Sequence, residues 1–375
     1  MRTGAPDLDD VEDLIAADAD GLLPVAALGG AQVRAVAETM REGVFEPLAT
    51  LRPRSVVVVC GTTGTARAAA ALVSAILATH VDVPIVSATA LPGWIGPLDV
   101  VVVAGDDAGD MVLADAAARA LRRRAEVVVA APIEGPLQDA LGGNGINASP
   151  RLRVDPRFRF AGYVAVLLAV FMSLTQVRLT GGVPQLSDMA DALDADAAAN
   201  HSSHETFRNR AKSLAARLIE RPVVWTGDGA AASVVAAQNA KSLLAIAGIV
   251  SATGDLAEIA RVTHDVWAAR RPEIDPIFYD PEIDGPAGEL PPRVFVASTG
   301  ARDWYTRQRV AAIPDAEVIV GDEDLSAAQA RSRTVPVAAD TDRIDGPADV
   351  TSFLMLILRV EMAAVYLRLT GAGGR

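Results

Sequence analysis

The sequence predicts an α/β protein of two similar domains, each a parallel sheet flanked by helices in three layers. Three observations carry this. Short apolar runs such as Val56–Cys60 and Val100–Ala104 alternate with longer segments of helical spacing, the pattern of strands covered on both faces. The alternation occurs twice, on either side of a polar, acidic stretch between Thr180 and Glu205. The two halves also open alike, VVVVCGTTGT against PVVWTGDGAA, each a strand running through a small-residue turn into a helix.

Taken in order, residues 1–30 form an acidic N-terminal arm with a short helix over 7–17 and a small-residue turn at Leu28-Gly29-Gly30. An amphipathic helix from Ala31 to about Thr50 is closed off by Pro53. In the first domain, 31–180, strands are expected at Ser55–Cys60, Pro84–Ala88, Asp99–Ala104 and Glu126–Ala131, with helices over 65–80, 108–124 and 134–142. Leu152–Val154 adds a short apolar piece. Phe160–Val177 carries no charge, but it sits at the lower limit of about 18 residues for a membrane span and is diluted by Gly162, Ser173, Thr175 and Gln176. It therefore reads as a buried helix.

The linker, 181–205, contains Gly181-Gly182, Pro184 and the run DMADALDADAAANHSSHE. The second domain, 206–375, is expected to have a helix at Thr206–Ile219, a strand at Pro222–Thr226, the turn Gly227-Asp228-Gly229 and a helix at Ala230–Ala247. After a Pro-rich interruption, Pro272 to Pro292, come strands Arg293–Ala297, Glu317–Val320 and Thr334–Ala338. An apolar helix from Ala348 to about Thr370 follows.

With 34 Lys and Arg against 47 Asp and Glu, the net charge of -13 repels nucleic acid and anionic membranes, and no basic patch offsets it. The single cysteine, Cys60, excludes an internal disulfide and a thiolate zinc cluster and fits a reducing cytosol; at a strand end it reads as a buried small hydrophobe. Residues 1–20 are acidic and lack the apolar core of a signal peptide, so a cytoplasmic protein is expected.

Open parallel sheets bind ligands beyond the carboxyl ends of their strands, so the turns after Cys60, Ala104 and Thr226 are the places for a site. Gly61, Thr62, Thr63, Gly64 and Thr65 form an anion cradle in prospect: a helix N-terminus presents unsatisfied N–H groups, glycine permits close approach, and threonine adds hydroxyls. A dinucleotide is not expected, since G-x-G-x-x-G is missing and the second strand ends Val86-Ser87-Ala88-Thr89 with no acid for a ribose. No Gly-Lys-Ser or Gly-Lys-Thr follows the glycines, so there is no P-loop. No cofactor and no metal is expected. His201, His204 and Glu205 have a spacing that would suit a metal on a helix, but a polar linker with a helix cap is the simpler reading.

Across nearly its whole length the chain resembles the bifunctional phosphoglucose/phosphomannose isomerases of the sugar isomerase (SIS) fold, and more narrowly their divergent actinobacterial TobH-like branch. GTTGT at 61–65 lies where that family has a Gly-rich turn, and VPIVSATALPGWIGPLDVVVVA, 83–104, is similar to its strand, Leu-Pro-x-Trp and strand arrangement. Asp155-Pro156-Arg157 resembles its Pro-Arg segment, RAKSLAARLIERPVVWTG the opening of its second half, and Ala364-Val365-Tyr366-Leu367 its last helix. The resemblance implies two SIS-type domains, a homodimer and a sugar phosphate or sugar derivative as ligand.

The family moves a proton between adjacent carbons through an enediolate, which needs a carboxylate shuttle, a cation or dipole for the oxyanion, and hydroxyl-rich phosphate loops. Carried over, the first phosphate turn survives at 61–65. The second reads Gly105-Asp106-Asp107-Ala108-Gly109-Asp110, carboxylates where the family has hydroxyls. One carboxylate within 4 Å of a phosphate charge costs about 4 kcal/mol at an effective dielectric of 20. Either a cation bridges Asp106, Asp107 or Asp110 to the ligand, or the ligand is not a phosphate held there. The shuttle glutamate is replaced by Gln238, in Ala237-Gln238-Asn239-Ala240-Lys241, and the family's histidine falls near Gly254. A glutamine amide has no useful basicity.

Arg157 remains as an oxyanion or sugar-hydroxyl contact, with Asp255 and Glu258 the only substitutes for the lost carboxylate. The expected function is a catalytically degenerate SIS-fold protein that binds a sugar derivative or regulates carbohydrate metabolism. The alternatives are an active isomerase of glucose 6-phosphate or mannose 6-phosphate using Asp255 or Glu258, and an assembly subunit dimerising through the apolar helices 160–177 and 348–370.

Overall fold

The computed structural model describes residues 7–267, 291–322 and 345–371. The chain forms two compact units, one of Asp20–Ala199 with Ile344–Leu358, the other of Met1–Ala19 with Asn200–Arg343 and Arg359–Arg375.

The first unit holds five strands: β1 (Ser55–Val59), β2 (Ile85–Ala88), β3 (Asp99–Ala104), β4 (Glu126–Ala130) and β5 (Ile146–Asn147). They lie in the order β2-β1-β3-β4-β5 and every pair is parallel. The register sets Val57 beside Val101 and Val101 beside Val127, and one repeat on it sets Val59, Val103 and Val129 in line. These valines pack against Leu113, Ala116, Ala117 and Ala120 of helix Met111–Arg122 and against Leu137 and Leu141 of helix Gly135–Leu141. Side chains alternate along a strand, so Val56, Val58, Val100 and Val102 point to the opposite face, where they too are buried. Helices Gly64–Leu77 and Phe160–Ser173 pack on each other, giving the three-layer order expected.

The second unit holds β6 (Val223–Gly227), β7 (Ala252–Thr253), β8 (Arg293–Ser298) and β9 (Ala316–Val320), all parallel, in the order β7-β6-β8-β9. Trp225 on β6 lies beside Phe295 on β8, with ring centroids 5.1 Å apart. Its helix Arg210–Ile219 begins in a polar knot. Asn209 caps the helix through Lys212 N (2.9 Å) and donates to Asn200 O (2.9 Å) and His201 O (3.0 Å). Lys212, fully buried, donates through Nζ to Ser202 O and His204 O, both at 2.8 Å, and the Tyr366 hydroxyl donates to Asn200 O at 2.7 Å. Burial lowers the Lys212 pKa, and the two carbonyls stand in for the water its ammonium gave up.

Several sequence expectations are corrected. The stretch read as a linker, 181–205, contains the helix Leu186–Ala199, which buries Leu186, Met189, Ala190 and Leu193 in the first unit. It packs along helix Gly29–Arg41, where Arg34 meets Asp191 (2.8 Å) and Asp194 (2.7 Å). A side chain at Gly30 would collide with Asp194 and with the Ala190 carbonyl, so the small residues read as a turn begin a helix that its neighbour approaches closely. The N-terminal arm is divided: helix Val11–Ala17 belongs to the second unit, where Asp9 accepts from Thr206 N (2.7 Å) and Thr206 Oγ1 (2.8 Å), and helix Leu22–Ala26 belongs to the first. The two-residue edge strands β5 and β7 are too short to show a period. The expected strand Thr334–Ala338 lies outside the described residues.

The uncharged segment ends as a helix at Ser173, with Phe160, Ala161 and every residue from Tyr163 to Phe171 buried. That helix is too short to cross a membrane; among the described residues two helices are long and apolar enough, Ala230–Ala247 and Pro347–Leu369, and 61% and 89% of their most apolar stretches are buried. Burial of that extent marks core helices. With Phe160–Ser173 and Pro347–Leu369 so covered, neither offers the apolar face that the dimerising-subunit reading required.

At the amino ends of β1 and β3 the side chain of Asp99 is fully buried. It receives Arg54 Nη2 (2.6 Å), Arg54 Nε (3.1 Å), Ser55 Oγ (2.8 Å) and Gly96 N (2.9 Å). Burial by itself raises its pKa, but these four donors outweigh it and hold the carboxyl below the usual range. A depressed acid contributes stability above its unfolded pKa and loses it as pH falls through the folded value. Asp99→Ala is therefore expected to cost about 2 kcal/mol at neutral pH in urea denaturation and to flatten the acid limb below about pH 4.

Candidate functional site

In the order β2-β1-β3-β4-β5 the chain reverses direction across the sheet between β1 and β3, and the crevice beyond their carboxyl ends is where such sheets take ligands. The two turns singled out from the sequence meet there. Gly61 adopts a left-handed backbone (φ 51°), and a methyl group at that position would collide with Asp110 Oδ2. Thr62 donates to that oxygen twice, through its backbone N–H (3.0 Å) and its hydroxyl (2.9 Å). The other oxygen of Asp110 caps helix Met111–Arg122 by accepting from Val112 N at 2.8 Å. Burial pushes the Asp110 pKa up, and the Thr62 and Val112 hydrogen bonds overcome that and keep it low.

Other groups of the turn are engaged as well. Thr63 Oγ1 accepts from Asp106 N (3.2 Å), Arg67 covers Gly61 O (3.1 Å), and Thr65 is buried in helix Gly64–Leu77. Asp106 is held by Arg159 (3.0 Å) and by the Tyr163 hydroxyl (2.6 Å) at the start of helix Phe160–Ser173, and burial raises the Tyr163 pKa so that it remains a donor. Asp107 is exposed and accepts from Gly109 N at 2.7 Å. Cys60, beneath the turn, is buried, with its thiol pushed up to about 11 by burial.

Arg157 forms a bidentate pair with Asp155 (Nε to Oδ1 2.9 Å, Nη2 to Oδ2 2.8 Å), and this guanidinium holds the Asp155 carboxyl below its ordinary range. Beside the turns lies an open cleft of about 780 Å³, bounded by the segment after β3, by Pro132–Gly135 after β4 and by Pro150–Asp155. Arg159 and Asp106 form one wall of it.

In the second unit the reversal falls between β6 and β8. Asp228, its side chain fully buried, accepts there from Thr306 Oγ1 (2.9 Å), Arg302 Nη2 (3.2 Å) and Arg309. The sequence marked the turn at Asp228 but none of these partners, because Arg302 and Arg309 sit in a helical segment with no motif of their own.

The residues that the sequence resemblance singled out as catalytic candidates are dispersed. Gln238 is buried in helix Ala230–Ala247 and donates to Ser242 Oγ at 3.2 Å. Gly254 follows β7, donating to Trp225 O at 3.2 Å. Asp255 and Glu258 are exposed at the start of helix Leu256–Val262, and among the described residues no hydrogen bond joins either to Gln238. His201 and His204 lie in a turn wrapped around Lys212, and among the described residues no group of three His, Cys, Asp or Glu side chains gathers for a metal.

One carboxyl that the sequence did not mark lies near Gln238. Glu361 is fully buried in the last helix, with Oε1 3.5 Å from Ser242 Oγ, and burial pushes its pKa up to about 8. An acid whose folded pKa lies above its unfolded 4.5 contributes stability that is complete below that unfolded value and lost as pH rises through about 8. Melting temperatures of the wild type should therefore fall across that interval relative to those of Glu361→Gln, which cannot ionise. Parallel pH profiles would show Glu361 to be neutral-tolerant in both states and the assignment wrong.

No known family model matches this sequence, and no curated protein is significantly similar to it. Solved structures are similar in fold. A Bacillus subtilis protein assigned as a phosphosugar isomerase aligns with TM-score 0.55 and 14% identity over 92% of this chain and 95% of its own. The C-terminal domain of glucosamine-fructose-6-phosphate aminotransferase from Francisella tularensis aligns with TM-score 0.53 and 10% identity, over 93% and 94%. A Clostridium novyi protein assigned as a tagatose-6-phosphate ketose/aldose isomerase gives 0.55 and 12%, over 99% and 95%. At such identities the likeness is one of fold. In its two parallel α/β units, of five and four strands among the described residues, the chain has the tandem SIS-like fold that these proteins share.

Proposed function

We propose that this chain is a SIS-fold protein that binds a sugar derivative in carbohydrate metabolism and does not interconvert aldose and ketose phosphates. The observation that carries the reading is Gln238. On the resemblance to phosphoglucose/phosphomannose isomerases and their TobH-like branch, it stands at the proton-shuttling glutamate, and it is buried with its amide engaged by Ser242. A shuttle must reach a carbon-bound proton within hydrogen-bond distance, and an amide has no basicity to offer. Arg157 is committed to Asp155, and Asp255 and Glu258 face solvent, so nothing at these positions supplies a poised base beside an oxyanion donor. The sugar-binding half of the proposal rests on fold analogy with the solved structures and on the position of turn 61–65 and Asp107 at the reversal point of the sheet. A cytosolic homodimer, its interface formed by surfaces other than helices Phe160–Ser173 and Pro347–Leu369, is the proposed working form.

A coupled assay with glucose 6-phosphate and mannose 6-phosphate is expected to show no fructose 6-phosphate formed by the wild-type chain at any pH at which it stays folded. A steady rate that disappears in Asp255→Ala or Glu258→Ala would instead establish an active isomerase with relocated residues.

A further inference from the structure

Helix Ala230–Ala247 and the part of the last helix that carries Glu361 belong to the same unit, and they meet at a buried hydroxyl. Ser242 Oγ lies 3.2 Å from Gln238 Nε2 and 3.5 Å from Glu361 Oε1. Gln238 and Asn239 stand four and three residues before Ser242, a spacing that brings both toward its side of the helix. None of the four residues Gln238, Asn239, Ser242 and Glu361 is more than 3% exposed.

Among the described residues, Gln238 Oε1, both amide atoms of Asn239 and Glu361 Oε2 have no hydrogen-bond partner. Buried polar atoms left in that state are costly, and here the imbalance has a sign. Three of the four atoms are oxygens, against the single donor Asn239 Nδ2, and turning the Asn239 amide over leaves that count unchanged. A proton on Glu361 would serve one of these oxygens, whereas a positive ion among them serves all three at once. Amide, hydroxyl and carboxylate oxygens are the ligands that replace the water shell of such an ion. One carboxylate balances one charge, and a divalent ion would leave a buried charge uncompensated, which favours a monovalent one. Lys241 acts on the carboxyl only from an exposed position on the same helix as Ser242.

We propose that Gln238 Oε1, Asn239 Oδ1, Ser242 Oγ and Glu361 Oε2 form a site for one alkali cation, sodium or potassium, which clamps helix Ala230–Ala247 to the last helix. The site is independent of the sugar-binding reading above.

Thermal unfolding of the full chain at one pH in sodium, potassium and tetramethylammonium chloride of equal concentration tests it, because an ion that binds only the folded state raises its melting temperature. At about 0.1 M, one of the two alkali salts is expected to raise that temperature about 2 °C above tetramethylammonium, which is too large for the site, and the rise should grow with the logarithm of concentration. Glu361→Gln, without the charge, should melt alike in all three salts. Gln238→Met keeps the carboxylate and loses one oxygen, so it should need about tenfold more of the same salt for the same rise, and it carries the test if Glu361→Gln does not fold. Equal melting of the wild type in the three salts, as bound water at this position would give, overturns the proposal. So does an alkali-specific rise that is undiminished in either variant, or a larger rise with calcium or magnesium chloride at equal ionic strength.

Discussion

A parallel sheet covered on both faces has no place for a charge along its strands, and the architecture of the first unit follows from that constraint. β1 and β3 are buried from end to end, with valine filling their interiors on both faces. Charges that approach the centre of the sheet do so at strand ends, where backbone N–H groups and turn hydroxyls can meet them. Asp99 gathers four donors at the amino end, and Asp110 gathers three at the carboxyl end. Two carboxylates thus tie together the same neighbouring strands, one below and one above the valine core.

The same device recurs in the second unit. Where the strand order reverses between β6 and β8, Asp228 is sealed by Thr306, Arg302 and Arg309. In each unit a carboxylate of the chain itself takes up donors at the place where an open α/β sheet ordinarily receives its ligand. The buried amide at position 238 and the engaged donors of Thr62 are the observations on which the proposed binding role rests.

Much of the fold was legible because burial on both faces leaves an unbroken apolar run. β3 and helix Ala230–Ala247 lie where the pattern put them, and β1, β4, β6, β8 and β9 differ by a residue or so at their ends. Helix Leu186–Ala199 was hidden because alanine and aspartate alternate through it, and its apolar stripe of Leu186, Met189, Ala190 and Leu193 is narrow enough to pass for a linker. The edge strands β5 and β7 form only because a neighbour offers free backbone groups, which no local pattern records. At the site, the pairing of turn 61–65 with the loop 105–110 was an expectation drawn from the family resemblance, and the acids of that loop argued against phosphate from the start.

By itself, then, the sequence determined the class of fold and the strand-end turns at which to look for a site, since each depends on residue type and near-neighbour spacing. Tertiary structure decided what those groups do. Whether Asp110 faces a ligand or Thr62, whether Arg157 is free or bound to Asp155, and whether Glu361 is wet or buried beside Ser242 are questions of which donors lie within 3 or 4 Å. Hydrogen bonds and desolvation act over such distances whatever the separation along the chain, and Thr62 and Asp110 are 48 positions apart.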